Sequence, residues 1–292
     1  MEEYKSGFIA VVGRPNVGKS TLINGLIGVK ASIVSSLPQT TRERVRTILT
    51  REDFQAIFLD TPGVHGTKDK LDEFMLKEIN ESLSGVDIIF FVCNAEKPFG
   101  PGDDFILSQI EEEKSSLLIL NKIDLISGDL LQERKEKYAE RTGMKVLETS
   151  AKTGQGREEI YEFLRQNLPA GPQYYPEDMF VDRVERDLVA DFVREQIFNH
   201  TWDEIPYGTA VTIAEMEDRD DITYIRANIH VEKKSHRGIV IGKNGKMLKK
   251  IGQNARKQIE ELLGRKIYLD LWVKEKKDWR KKKSHMRYLG YD

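Results

Sequence analysis

Cysteine is nearly absent from this chain: Cys93 is the single one in 292 residues. One thiol excludes an internal disulfide and a cysteine-built metal cluster. Its place inside an apolar run gives it the part of a small buried hydrophobe. Long hydrophobic runs are missing as well. The longest, 88–93, is six residues, against the roughly 20 that a bilayer-spanning helix needs. The start, Met1-Glu2-Glu3-Tyr4-Lys5, lacks the basic end, apolar stretch and cleavage site of a secretory signal. A cytoplasmic protein is therefore expected.

What the chain does have is a globular balance of 39% apolar and 32% charged residues, which excludes disorder throughout. Its length suits two domains of about 150 residues better than one. The net charge of −2 conceals a division. Residues 231–292 hold 19 Lys or Arg against 7 Asp or Glu, and residues 1–230 hold 27 against 41. A basic C-terminal part on an acidic remainder points to a polyanionic partner for that part.

Apolar patterning predicts strands at 8–12, 45–50, 54–60, 87–94, 116–121 and 145–149. Between them it predicts helices at 20–27, 71–84, 103–113, 130–141 and 157–166. This alternation is that of an α/β domain with a mostly parallel six-stranded sheet. The segment 169–176 carries three prolines and a glycine and cannot continue a helix. The expected organisation is a nucleotide-binding domain at 1–170, a linker at 171–181 and a small α+β domain at 182–292 that ends in a basic tail. In the latter, helices are read at 182–199 and 245–263, and strands at 209–216, 222–231 and 266–273.

Gly13-Arg14-Pro15-Asn16-Val17-Gly18-Lys19-Ser20, followed by Thr21, matches G-x-x-x-x-G-K-[ST] between a strand and a helix. Such a loop turns backbone N–H groups onto phosphate oxygens, with the lysine on the β- and γ-phosphates and the serine on Mg²⁺. Asp60-Thr61-Pro62-Gly63 closes the third strand, where the carboxylate suits Mg²⁺ and the Gly N–H suits the γ-phosphate. Asn121-Lys122-Ile123-Asp124 follows the fifth strand. The Asp124 carboxylate can accept from both the ring N–H and the exocyclic amine of guanine, a pair that adenine does not offer. Ser150-Ala151-Lys152 follows the sixth strand, where a backbone N–H can meet the guanine O6.

His236-Arg237-Gly238 and Ile241-Gly242-Lys243-Asn244-Gly245-Lys246 surround a G-x-x-G loop, with Lys249 one turn further on. The helix after the loop has apolar positions at 247, 248, 251, 255, 259 and 262, which is helical spacing. Hairpin, G-x-x-G and helix in that order mark an RNA-binding KH module, whose loop backbone approaches a nucleic-acid strand closely. Those ten residues, His236 through Lys249, are the expected RNA contacts. Lysine and arginine blocks at 274–277 and 280–283 flank Trp279 and also suit phosphates. His230 reads as incidental polar surface.

The order of phosphate loop, D-x-x-G, N-K-x-D and S-A-K resembles the translation-factor class of P-loop GTPases. Joined to a C-terminal type II KH module over essentially the whole chain, it resembles the Era family, bacterial GTPases of small ribosomal subunit assembly. The resemblance implies slow hydrolysis of GTP to GDP, Mg²⁺ as cofactor, and binding near the 3′ end of 16S ribosomal RNA by a monomer. It implies Thr41 as a metal ligand beside Ser20 and Asp60, with Thr40 as the alternative. Lys19, Thr41, Gly63 and Asn16 are the catalytic candidates, and relatives sharing Asn16 use it at a K⁺ ion. Val64 stands where Ras-like enzymes carry their water-orienting glutamine, so intrinsic turnover should be slow. Arg14, Arg42 and Arg44 are the in-chain alternatives for charge neutralisation. A tRNA-modification GTPase is the competing reading. The basic tail also suits peripheral attachment to anionic lipid on the inner face of the cell membrane.

Overall fold

The computed structural model describes residues 3–35, 37, 40–63, 70–110 and 114–291. They form two compact units that change over between Asp182 and Arg183, with residues 35, 37, 40 and 70–74 grouped with the second.

The first unit is built on a six-stranded sheet of β1 (Lys5–Val12), β2 (Val45–Thr50), β3 (Phe54–Asp60), β4 (Ile88–Asn94), β5 (Ser115–Asn121) and β6 (Lys145–Thr149). Its order is β2-β3-β1-β4-β5-β6. All pairs are parallel except β2 with β3. The central strands read as unbroken apolar runs because both of their faces are covered. β4, Ile-Ile-Phe-Phe-Val-Cys-Asn, is buried at every position, and Cys93 is among them. The helices are α1 (Lys19–Ile27), α2 (Lys70–Leu83), α3 (Pro101–Leu107), α4 (Gly128–Thr142) and α5 (Arg157–Asn167). α3 is shorter than the sequence pattern suggests, and positions 111–113 of that reading lie outside the described residues. Strand order reverses at β1, between β3 and β4, so a crevice for a ligand opens at the carboxyl ends of these strands. Residues 13, 60, 121 and 150 all fall there.

The proline-rich stretch after α5 is held to this unit by hydrogen bonds. Gly171 N donates to Tyr4 O. The buried Gln55 side chain accepts from Tyr174 N and Tyr175 N at 2.8 and 3.0 Å and donates to Tyr175 O at 2.9 Å. Further on, Ile48 N donates to Phe180 O and Asp182 N to Arg46 O, so the stretch pairs with the free edge of β2. That covers backbone groups which an edge strand leaves open.

The second unit contains α6 (Glu185–His200), β7 (Thr209–Arg219), β8 (Ile222–Val231), α7 (Lys234–Ile241), α8 (Lys246–Leu263) and β9 (Ile267–Glu275). The sheet order is β7-β8-β9, antiparallel then parallel. α8 buries Ile251, Ala255 and Ile259, spaced four apart on one helical face. α6 packs on α8 and β7, with Gln196 Nε2 to Gln258 Oε1 at 2.9 Å and Asn254 to His200 at 2.8 Å between the helices. The tail is folded. Trp279 is fully buried and its indole donates to Gly208 O at 2.9 Å. Its ring stacks on Tyr291, and a short helix α9 (Lys283–Tyr288) buries Met286 in the same apolar cluster. His230, expected at the surface, is 3% exposed and bonded to Thr212 at 2.9 Å.

Candidate functional site

The loop at residues 13–18 leaves β1 and ends on Gly18, which caps α1 at φ 100°. That left-handed backbone suits glycine, and a Cβ there would run into the Asn121 amide. Lys19 is buried, and its ammonium donates to Gly13 O at 2.8 Å and Arg14 O at 3.1 Å. Burial pulls its pKa down to about 8, opposed by the Asp60 carboxylate. Arg14 turns to α3, where its Nε lies 3.0 Å from Asp103.

Ser20 Oγ and Thr41 Oγ1 are 3.2 Å apart, whereas the Thr40 hydroxyl donates to Leu37 O at 2.8 Å. Asp60 is completely buried, and both of its oxygens lack a hydrogen bond of good geometry, as does the buried Ser32 hydroxyl. Burial raises the Asp60 carboxyl above its ordinary value, while the nearby Ser20 hydroxyl, the Lys19 ammonium and Ser32 oppose the rise. Buried carboxylate oxygens without partners are costly, and a hard cation with oxygen ligands removes that cost. The donor set therefore fits Mg²⁺. Among the described residues no cluster of three or more His, Cys, Asp or Glu exists, so such an ion would draw much of its coordination from phosphate oxygens.

Gly63 lies against the phosphate loop: a Cβ on it would come within 2.7 Å of the Pro15 backbone. Thr61 fixes the same turn by donating to Val11 O at 2.7 Å. Val64 lies outside the described residues.

At the guanine end, Asn121 acts as a brace. Its Nδ2 donates to Val17 O at 2.8 Å, and its Oδ1 accepts from Ala151 N at 2.9 Å and Thr149 Oγ1 at 3.2 Å. One buried amide thus ties the phosphate loop to the Ser150-Ala151-Lys152 turn. Asp124 is exposed, and one carboxylate oxygen accepts from Ser150 Oγ at 2.7 Å. The other stays open to a base. Lys122 between them takes a left-handed φ of 68°, as does Asn16 in the phosphate loop at 62°. Of the candidate arginines, Arg44 is held by Glu78 and Glu81 at 4.0 and 3.6 Å, and Arg42 is 1% exposed.

In the second unit, α7 ends on Gly242 at φ 72°, ψ 171°, and Gly245 caps α8 at φ 73°. A Cβ on Gly242 would approach the Met247 Cβ to 2.6 Å, so this loop position requires glycine twice over. Arg237, Gly238, Lys243, Asn244, Lys246 and Lys249 are exposed, and Ile241 is half-buried. His236 is the exception among the expected contacts. It is 2% exposed, with Nε2 3.5 Å from Glu204, because its place one turn before Val240 points it into the core.

Beside the loop runs a groove of about 520 Å³, walled by Gly245, Leu248, Lys249, Gly252, Gln253 and Arg256 of α8 and by Tyr268, Leu269 and Leu271 of β9. Sequence reasoning missed Gln253, Arg256 and the β9 wall. The spacing 249, 253, 256 on one helix face carried the signal for the first two.

These features define a P-loop GTPase domain joined to a KH module. A family model described as 50S ribosome-binding GTPase matches residues 8–122, and a KH domain model matches residues 204–280. GTPase Era of Halothermothrix orenii is 52% identical over 290 residues, 99% of each chain. GTPase Era of Carboxydothermus hydrogenoformans is 47% identical over 294 residues, covering 99% of this chain and 98% of that one. A crystal structure of Era in complex with MgGDPNP and nucleotides 1506–1542 of 16S ribosomal RNA superposes with a TM-score of 0.95 at 36% identity, covering 99% of both chains. An Aquifex aeolicus Era variant bound to GDP and AlF4− gives 0.95 at 36% identity, over 98% of this chain and 99% of that one. The chain belongs to the Era family of GTPases.

Proposed function

We propose that this GTPase binds the 3′ end of 16S ribosomal RNA through its KH loop and assists assembly of the small ribosomal subunit. The observation that carries the reading is the exposed Gly242–Gly245 loop, with Lys243, Lys246 and Lys249 beside an open groove. An Era relative covering the whole chain was crystallised with that RNA. The folded module supplies phosphate contacts from the loop and an apolar wall for unstacked bases.

In the nucleotide unit, Lys19 meets the β- and γ-phosphates, and Ser20, Thr41 and Asp60 hold Mg²⁺. Bound there, the ion neutralises charge on the phosphates. Asp124 selects guanine, Asn121 holds the two halves of the pocket together, and Gly63 offers its N–H to the γ-phosphate. Asn16 is assigned to a K⁺ ion by family resemblance. The domains are read as 1–170, a linker at 171–181, and 182–292. The protein is read as a cytoplasmic monomer, with peripheral attachment to anionic lipid through its basic tail. No helix among the described residues is long and apolar enough to cross a membrane.

The test is binding of a labelled 16S 3′-terminal fragment by wild type and Lys243→Glu, with GTP affinity measured in parallel. Lys243→Glu loses the RNA and keeps GTP, since the substitution reverses charge only at the loop. Equal RNA affinity of the two proteins removes the KH reading. Preferential crosslinking to tRNA in cells would favour the tRNA-modification alternative instead.

A further inference from the structure

The three-stranded sheet of the second unit carries the core on one face, formed by Ile225, Ala227, Ile229 and Val231 of β8, which are fully buried. Period-two alternation sends Tyr224, Arg226, Asn228 and His230 to the other face. The parallel register places Tyr268, Asp270, Trp272 and Lys274 of β9 beside them, rung by rung. This outer face bears large aromatics in the open. Tyr268 is 57% exposed, Trp272 54% and Tyr288 of α9 64%. Tyr288 stands over His230 at 6.1 Å, one rung beyond Trp272. Three exposed aromatic rings in line on one face call for a partner.

Two observations say what that partner is. First, the strip is continuous with the KH groove. Tyr268 lies on the edge strand β9, lines the groove, and stacks on Tyr224 at 5.8 Å and 11°. Trp272 follows about 13 Å along the same strand. Second, charge changes along the strip in the sense that a polyanion needs. At the Tyr224 end the carboxylates are already engaged: Asp270 and Glu215 by Arg226 at 3.1 and 3.0 Å, and Glu217 by Arg219 at 3.0 Å. Toward the tail, Lys274 is exposed and Lys276 sits 3.3 Å above the Tyr288 ring.

We propose that this outer sheet face is a second single-stranded RNA platform. Bases of a strand leaving the KH groove over β9 stack on Tyr268, Trp272 and Tyr288, and phosphates meet Lys274 and Lys276. Aromatic faces accept any base, so the platform adds affinity for length more than for sequence. The proposal rests on the RNA-binding reading above, and its test separates the two.

The full-length protein is titrated with single-stranded RNA of five and of twelve nucleotides from the 3′ end of 16S ribosomal RNA. A KH loop clamps about four nucleotides, so the shorter probe fills the groove alone. Trp272→Ala weakens the longer RNA about tenfold and leaves the shorter one unchanged, and Trp272→Phe restores most of the loss. Indole fluorescence is quenched by the longer RNA in wild type, and the quench falls in Trp272→Phe. Lys243→Glu loses both RNAs. Unchanged binding of both RNAs to Lys243→Glu refutes the KH reading itself. With Lys243→Glu inactive, equal affinity of wild type and Trp272→Ala for the longer RNA overturns the platform. An equal loss on both RNAs overturns it too, because the substitution then acts through the groove.

Discussion

The guanidinium of Arg14, inside the phosphate loop, is tethered to the carboxylate of Asp103 at the start of α3, 3.0 Å away. Asp103 is inaccessible to solvent, and its other oxygen accepts from Gly100 N at 3.0 Å, so the carboxylate closes the helix N-terminus while it holds the loop. Burial raises its carboxyl, and Arg14 pulls it back. Cys93 lies 3.9 Å from the same carboxylate. An arginine committed in this way is a support for the loop and not a finger on the phosphates.

Asp103→Ala should therefore act on both stability and nucleotide binding. Breaking a buried pair from one side costs about 3–5 kcal/mol, and less here because the Arg14 side chain is 22% exposed and can rehydrate. We expect a loss of about 1–3 kcal/mol in unfolding free energy, read as a lower urea midpoint, and roughly tenfold weaker GTP. A normal midpoint together with normal GTP affinity would show that the tether supports nothing.

Asp124→Asn should weaken GTP by about 100-fold and favour xanthosine triphosphate, whose O2 replaces the exocyclic amine of guanine. Ser150→Ala, which removes the 2.7 Å bond that orients the carboxylate, should cost roughly fivefold without changing that preference. Isothermal titration with both nucleotides decides the matter. A Ser150→Ala protein that prefers xanthosine triphosphate would break the assignment of selectivity to Asp124.

Much of this pocket could be read from sequence because its parts are short, local patterns at strand ends, such as Gly13–Ser20 and Asn121–Asp124. What those patterns hide is division of labour across distance. Asn121 resembles a base contact in a tetrapeptide, yet it bonds to Val17, 104 positions away. The proline-rich stretch after α5 looks like a free connector because proline lacks an N–H. Its anchor is the Gln55 side chain, buried in β3 where a polar residue gives no periodic signal. The tail reads as basic blocks suited to phosphates, and only packing reveals that Trp279 and Tyr291 stack within it. His236 sits in a loop-flanking motif, yet helix phase turns it inward.

Hydrolysis offers a test of both ions. Thr41 faces Ser20 across 3.2 Å while Thr40 is spent on Leu37. Thr41→Ala should lower single-turnover GTP hydrolysis more than tenfold and leave GDP affinity within about twofold, whereas Thr40→Ala should do neither. If K⁺ acts beside Asn16, wild type should turn over faster in potassium than in sodium buffer, and Asn16→Ala should lose the difference. Equal rates of wild type in the two salts would exclude the monovalent ion.

Acid stability should carry the signature of His230. Burial, with Lys276 and Lys274 nearby, depresses its pKa to about 4, against about 6.5 in an unfolded chain. Between those values the unfolded state binds the extra proton, so stability rises with pH across the window. The neutral ring's contribution is complete above pH 6.5 and is lost as the pH falls toward 4, with about 3 kcal/mol as its ceiling. His230→Gln keeps a polar side chain for Thr212 without titrating here. Urea unfolding at pH 7 and pH 4.5 should show wild type losing more stability than His230→Gln, by up to about 2 kcal/mol. The same loss in both proteins would mean that His230 is protonated in the folded state, and that the ring beneath Tyr288 is open to water.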